Sequence, residues 1–398
     1  MIAAQYLEYG PDIAAIPSAQ ARARLRAAFE RLPISCIILG WDLPEPLEHA
    51  CAQEASRASA RLFRWQPLLA GNSAFESRPE WQVIGLSGEP APGRPGFTFL
   101  CPNRPAATEA VLEHFRHKMH RSQYDGVFLD RIRYPSPAAD PGRLLACFCP
   151  DCHRAASEQG LDLVAARRRI EVLLAAPERL SSVLQLLLDP STDVSSDPDL
   201  TLLRAFLDFR THSITHFVQA ASGLARSEGL EVGLDCFSPC LTYMVGQDLS
   251  ALSAHCTWIK IMTYGHTLAP AGLPHELLGL AQWLIGLGTA REAEALDWLA
   301  QASRRPLPPS LGLLSSQGLS PEALAAEIRC ARAAGVSTLL VGIDLVDLEG
   351  ITRLGPAQIA ADLRAIHAEK PDGLVLAWDL WRIPLQRLET VRSIWLAP

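Results

Sequence analysis

The feature that most constrains this chain is a rhythm of eight short apolar runs separated by longer, helix-like stretches. The runs are "IAAQYLE" from Ile2, "SCIILGW" from Ser35, "LFRWQPLL" from Leu62, "DGVFLDRI" from Asp125, "LEVGLDCF" from Leu230, "WIKIMTY" from Trp258, "STLLVGIDLV" from Ser337 and "DGLVLAWDL" from Asp372. Helical patterns lie between them at residues 18–32, 108–119, 203–225, 320–335 and 355–369. Ser320 with Glu322, and Gly355 with Pro356, supply helix-start chemistry for the last two. Repeated β-α units predict a parallel sheet. Eight of them, with no G-x-G-x-x-G after the first run, predict a closed α/β barrel, the (β/α)8 TIM barrel, rather than an open doubly wound sheet. "PSLGLLSS" at 309–316 reads as a helix or loop inside an insertion.

A chain of 398 residues suits a single barrel domain, 1–398, with three long connections at 70–103, 133–228 and 265–335. Insertions after barrel strands sit on the C-terminal face, so these three are expected to form the rim of one mouth. "DPSTDVSSDPD" at 189–199 reads as a solvated turn between helices.

The 36 basic and 43 acidic residues give a net charge of −7, which offers no cationic field for nucleic acid or an anionic membrane. The N-terminus meets Glu8 and Pro11 before a signal-like apolar stretch develops, and no run reaches the roughly 18 apolar residues of a membrane span. A cytoplasmic protein acting on small or neutral substrates is expected, and homo-oligomerisation is compatible with this composition.

Barrel enzymes collect their chemistry at the C-terminal ends of strands. Here those positions are polar: Glu8, Trp41 and Asp42, Gln66, Asp130 with Arg131 and Arg133, Asp235, Lys260 with Tyr264 and His266, Asp344, and Trp378 with Asp379. Any one of these acids could be a solvated helix cap. Several acids together with aromatic rings suit a sugar site, because paired carboxyls divide acid and base work while rings stack on sugar faces.

Three of the ten cysteines crowd into "CFCPDC", as Cys147, Cys149 and Cys152. Thiolates at C-x-C-x-x-C spacing can converge on one tetrahedral metal, which needs a fourth ligand; Cys101 in "FLCPN" is one candidate and His153 another. Structural zinc, metal-free thiols and iron–sulfur or redox chemistry are the alternatives at this point.

"YDGVFLDRIRYP" (124–135) resembles a strand-four signature of glycoside-hydrolase-like barrel proteins; "IKIMTYG" resembles their sixth strand and "GLVLAWDLW" a Trp-bearing eighth. The cysteine spread resembles the zinc cluster of family 42 glycoside hydrolases, retaining β-galactosidases, which implies Cys101, Cys147, Cys149 and Cys152 as ligands of a structural zinc. That clan places its acid/base after the fourth strand and its nucleophile after the seventh, so the resemblance implies Asp130 and Asp344, although the clan uses glutamates there. An alternative resemblance, to retaining α-glycosidases, makes Asp130 the nucleophile.

The resulting expectation is a glycosidase acting on a carbohydrate, with Asp130 and Asp344 as the catalytic pair and Asp235 in reserve. Glu8, Trp41, Asp42, Arg131, Tyr264, His266, Trp378 and Asp379 are expected to bind substrate, Glu8 being a second reserve acid. A barrel that binds carbohydrate without catalysis and a metal-dependent hydrolase are the competing readings.

Overall fold

The computed structural model describes residues 1–71, 75, 78–91, 97–119, 123–352 and 354–396. All eight apolar runs are strands: β1 (Ile2–Tyr6), β2 (Cys36–Leu39), β3 (Arg61–Pro67), β4 (Gly126–Asp130), β5 (Glu231–Cys236), β6 (Trp258–Met262), β7 (Leu339–Asp344) and β8 (Gly373–Ala377). Each pairs in parallel with the next and β8 pairs with β1, closing the expected (β/α)8 barrel.

Because side chains alternate along a strand, one set fills the barrel and the other meets the helices. Ala3, Ile38, Phe63, Trp65, Phe128, Trp258, Leu340 and Val375 form the inner set, with Phe128 stacked on Trp258 at 5.3 Å and 19°. The large rings need a small neighbour. Gly233 on β5 supplies it, since a Cβ there would sit 2.3 Å from the Trp258 ring. A Gly233→Ala variant is therefore expected to lose about 1–3 kcal/mol through overpacking of a closed interior. A lowered urea midpoint would report this, and an unchanged midpoint would contradict the packing account.

The outer layer contains α1 (Ser18–Arg31), α2 (Glu45–Arg57) and α3 (Pro105–Met119). The connection after β4 folds into α4 (Pro150–Glu158), α5 (Leu163–Leu174), α6 (Leu180–Leu188) and α7 (Pro198–Ser227). That after β6 carries α8 (Leu273–Gly286), α9 (Glu292–Ser303), α10 (Leu311–Gln317) and α11 (Pro321–Ala333). Then come α12 (Pro356–Ala368) and α13 (Leu385–Trp395). Helix α2 has a weak sequence signal because its buried face is mostly Leu47, Ala50, Cys51 and Ala55. "PSLGLLSS" contributes α10, and residues 189–199 turn between α6 and α7, where Asp197 accepts from the Asp199 and Leu200 N–H groups as the cap of α7. Among the described residues, no helix is long and apolar enough to cross a membrane.

Candidate active site at the barrel mouth

Three non-glycine residues just beyond strand ends hold a left-handed backbone: Leu7 after β1 (φ 60°), Asp42 after β2 (φ 52°) and Arg131 after β4 (φ 54°). Such conformations persist only where the surroundings over-determine them. At Leu7 the cause is visible. Its N–H donates to Asp379 Oδ1 at 2.8 Å, and the same oxygen accepts from Trp381 N at 2.9 Å. Asp379 is fully buried, and that burial pushes its carboxyl up to about 6. Its place is behind the β1 turn, where it sets the direction of Glu8.

Glu8 enters a cavity of about 260 Å³ with Asp130, Arg131, Asp235, Tyr264 and Trp378. Trp65 and Phe97 add aromatic surface, and Ala269 to Ala271 from the β6 connection add an apolar wall. Asp130 is held by two N–H donors: Trp65 Nε1 reaches Oδ2 at 2.9 Å, and the Arg131 backbone reaches Oδ1 at 2.5 Å. Both oxygens therefore act as acceptors.

The Arg131 guanidinium lies between two acids. Its Nη2 is 3.5 Å from Glu8 Oε1 and its Nε 3.8 Å from Asp130 Oδ2. The Phe97 and Trp41 rings face it at 4.6 and 5.3 Å. The Glu8 side chain keeps 31% of its surface open toward the mouth. Its burial among protein groups nevertheless pushes the carboxyl up to about 7, with Arg131 opposing and the Asp379 and Asp130 charges assisting.

Asp235 is deeper. Lys260, fully buried, donates to its Oδ2 at 3.1 Å, to Gln5 Oε1 at 2.9 Å and to Tyr264 Oη at 2.6 Å. Three acceptors satisfy the three ammonium protons, the condition under which a buried lysine is tolerated. Burial pushes Asp235 up to about 7 against the pull of Lys260. Its direct ammonium contact makes it a strut for Lys260 and Tyr264 more than a free donor.

Other expected residues lie elsewhere. Asp344 is buried and does not line the mouth cavity; its Oδ2 accepts from His266 N at 3.2 Å and Thr267 Oγ1 at 2.9 Å. His266 faces away too, with Nε2 2.8 Å from Asp362 and Nδ1 2.8 Å from the Gln317 carbonyl. Although burial opposes its charge, Asp362 and Asp344 raise His266 to about 8. Together these groups tie the β6 and β7 connections to α10 and α12. Trp41 packs at 5.3 Å on Trp65 beneath the cavity, and Asp42 pairs with Lys118 at 2.8 Å on the outside. Trp65, Gln5 and Met262 line the cavity without having been singled out. Strict alternation inward along β3 and β1 is the signal that finds the first two.

No protein-family model and no curated protein matches the chain. Solved structures do. The PgaB (BpsB) glycoside hydrolase domain of Bordetella bronchiseptica matches over 98% of both chains, at 16% identity and a TM-score of 0.55. A β-galactosidase from the haloarchaeon Halorubrum lacusprofundi matches 99% of this chain at 12% identity and a TM-score of 0.61, and one from Marinomonas ef1 matches 98% at 10% and 0.59. The chain spans 58% of the length of either galactosidase. What they share is the barrel. At these identities the likeness speaks for the fold alone.

Beside the mouth, Cys101, Cys147, Cys149 and Cys152 come together, all buried, with their sulfurs within 4.8 Å of one another. Cys101 Sγ is 3.6 Å from Cys149 Sγ and 3.4 Å from Cys152 Sγ. A tetrahedral metal with bonds of about 2.3 Å needs sulfur–sulfur edges of about 3.8 Å, so the quartet fits such an ion and His153 is not required. Cys149 stands at the N-terminus of α4, and hydrogen bonds from the other three thiols hold it far below the usual thiol range. The quartet joins the β3 connection, which carries Phe97 and Phe99, to the β4 connection, where Phe148 N also donates to the Ile84 carbonyl at 2.8 Å. Arg131 packs on Phe97 and Arg133 on Phe99 at 4.6 Å each, so this staple braces one wall of the mouth. Among the described residues, no group of three or more Asp, Glu, His or Cys ligand atoms gathers at the mouth itself.

Proposed function

We propose that this protein is a glycoside hydrolase in which Glu8 is the general acid and Asp130 the carboxylate that attacks the anomeric carbon or activates water. The observation that carries this reading is the Arg131 guanidinium bridging the two carboxyls over one cavity. Through that bridge the carboxyl oxygens are at most about 10 Å apart, a span that a scissile glycosidic bond can occupy. Glu8, pushed up to about 7, keeps its proton near neutral pH and gives it to the leaving oxygen as the bond to the anomeric carbon breaks. Asp130, or water deprotonated by it, supplies the new bond.

Trp378, Trp65 and Phe97 offer ring faces for a sugar, and Tyr264 offers a hydroxyl fixed by Lys260. The mouth cavity alone falls just below the roughly 300–1,000 Å³ of a usual small-ligand site. A second cavity of about 540 Å³ shares Phe97, Arg133 and Pro270 with it, which favours a substrate longer than one sugar.

Zinc is the metal that suits the four-cysteine site, and four protein ligands leave no position for water, so its role is structural. The catalytic proposal is tested by hydrolysis of aryl glycosides and oligosaccharides with wild type and Asp130→Asn. Sugar binding with no turnover of any glycoside would replace the hydrolase by a binding barrel. Asp344→Asn is expected to act through stability, costing about 1–3 kcal/mol by loosening its bonds to His266 and Thr267. Its melting temperature should fall while kcat/KM stays within about 10-fold of wild type, whereas a loss as large as that expected for Asp130→Asn would return Asp344 to the catalytic pair.

A further inference from the structure

Arg210, on α7, is 0% exposed. Only one of its three nitrogens has a hydrogen-bond partner among the described residues: Nη1 donates to the Met244 carbonyl at 2.9 Å, while Nε and Nη2 have none. Among the described residues it forms no ion pair with a carboxylate, unlike buried Arg305, which meets Glu327 at 2.5 Å. An unpaired cation in a protein interior is strongly unfavourable, so a compensating negative charge is required.

The surroundings say where that charge is. The guanidinium lies 4.7 Å over the Tyr134 ring and 5.7 Å over the Phe206 ring, and burial lowers its pKa to about 10 against the opposing pull of Tyr134, Cys147, Tyr243 and Cys152. The same face of α7 reaches the cysteine site twice more. Phe206 stacks on Phe148 at 4.7 Å, and Ser213 Oγ accepts from Asn103 Nδ2 at 2.9 Å, whose amide also lies 3.4 Å from Cys152 Sγ.

Four thiolates around a divalent ion carry a net charge of −2. Arg104 faces the quartet at Cys149 and has its Nε 3.3 Å from Asp151 Oδ2, so its single charge is divided between a thiolate and a carboxylate and leaves part of that −2 unmatched. We infer that Arg210 is a second, fully buried countercharge, with Arg104, of a divalent metal bound as a dianionic tetrathiolate by Cys101, Cys147, Cys149 and Cys152. This rests on the metal-binding reading of the quartet. In that role Arg210 positions charge without ligating the ion, and metal and arginine stabilise each other.

The test uses the whole protein, loaded with Zn²⁺ or stripped by chelator under reducing conditions. Arg210→Met is expected to weaken Zn²⁺ binding by about 10- to 100-fold in competition with a chromogenic chelator, as for other groups just outside a metal's ligands. Arg210→Lys should recover most of that loss. In thermal melts the sign separates the explanations. Arg210→Met should lower the melting temperature of the loaded protein but leave the stripped protein unchanged or more stable, because the metal-free site no longer buries an uncompensated cation. Equal destabilisation of both forms with unaltered Zn²⁺ affinity would overturn the proposal and leave Arg210 a packing residue. Where Arg210→Met does not accumulate, Arg210→Lys loaded with Co²⁺ serves instead: thiolate-to-cobalt bands and affinity close to wild type support the countercharge, and loss of both overturns it. A wild-type protein that takes up neither Zn²⁺ nor Co²⁺ would remove the metal reading itself, a result distinct from either outcome at Arg210.

Discussion

Asp130→Asn is expected to reduce kcat/KM on a cleaved glycoside by about 10³-fold or more while the protein remains folded. The amide keeps the size of the side chain, but its nitrogen cannot accept the N–H bonds that Trp65 and Arg131 now give to the two oxygens. It also removes the negative charge at the anomeric carbon. Glu8→Gln should cost about 10²- to 10⁴-fold and, more diagnostically, change the pH profile. Glu8 must be protonated to act, and burial raises it to about 7, so wild-type kcat/KM is expected to fall as pH rises through that value. Glu8→Gln should lose this basic limb. Asp235→Asn should keep it, because that acid, although also raised to about 7, is engaged with Lys260. A basic limb that vanishes in Asp235→Asn instead would exchange the two roles.

The second large effect is on stability. Zinc removal, or Cys147→Ser, is expected to cost several kcal/mol, on the order of 5 or more, because metal binding free energy at a closed thiolate site is folding free energy. For a chain of this size the melting temperature should drop by about 6 °C or more. Metal analysis should give one zinc per chain in the wild type and none in the variant. The loss should also reach the mouth, since the quartet ties the segment carrying Phe97 and Phe99 to the one following Asp130. KM is expected to rise in the stripped protein more than kcat falls. A stripped protein with unchanged melting and unchanged KM would refute the staple.

How much of this was legible in the sequence differs by level. The strands were, because barrel strands are apolar on both faces and stand out as continuous runs such as "CIIL" and "LLVGID". Helices such as α2 and α13 were not, because their buried faces rest on a few small or widely spaced apolar residues. Within the site, a strand-terminal acid announces itself, but its sequence position does not say where its lone pairs are used. Asp130 and Asp344 end β4 and β7 alike; the first opens on the cavity, while the second spends its Oδ2 on the loop after β6. Alternation along β3 turns Trp65 toward the interior, but its neighbour Gln66 is the polar residue at the strand end, so the sequence alone points to Gln66. Phe97 and Ala269 to Ala271 lie in long connections whose course carries no periodic signal. The cysteine spacing was legible as a metal motif. Arg210, one of three arginines within the 30 residues of α7, acquires meaning only when packing buries it on the helix face that meets the cysteine site.

The central claim, that one sugar bond sits between Glu8 and Asp130, is tested most directly by a crystal structure of the Asp130→Asn protein carrying an oligosaccharide that the wild type cleaves. The expected result places the anomeric carbon within about 3–3.5 Å of the residue-130 side chain and the glycosidic oxygen within hydrogen-bonding reach of Glu8, with a ring stacked on Trp378 or Phe97. A sugar whose anomeric carbon lies against Asp235 or Asp344, with Glu8 out of reach, would contradict it.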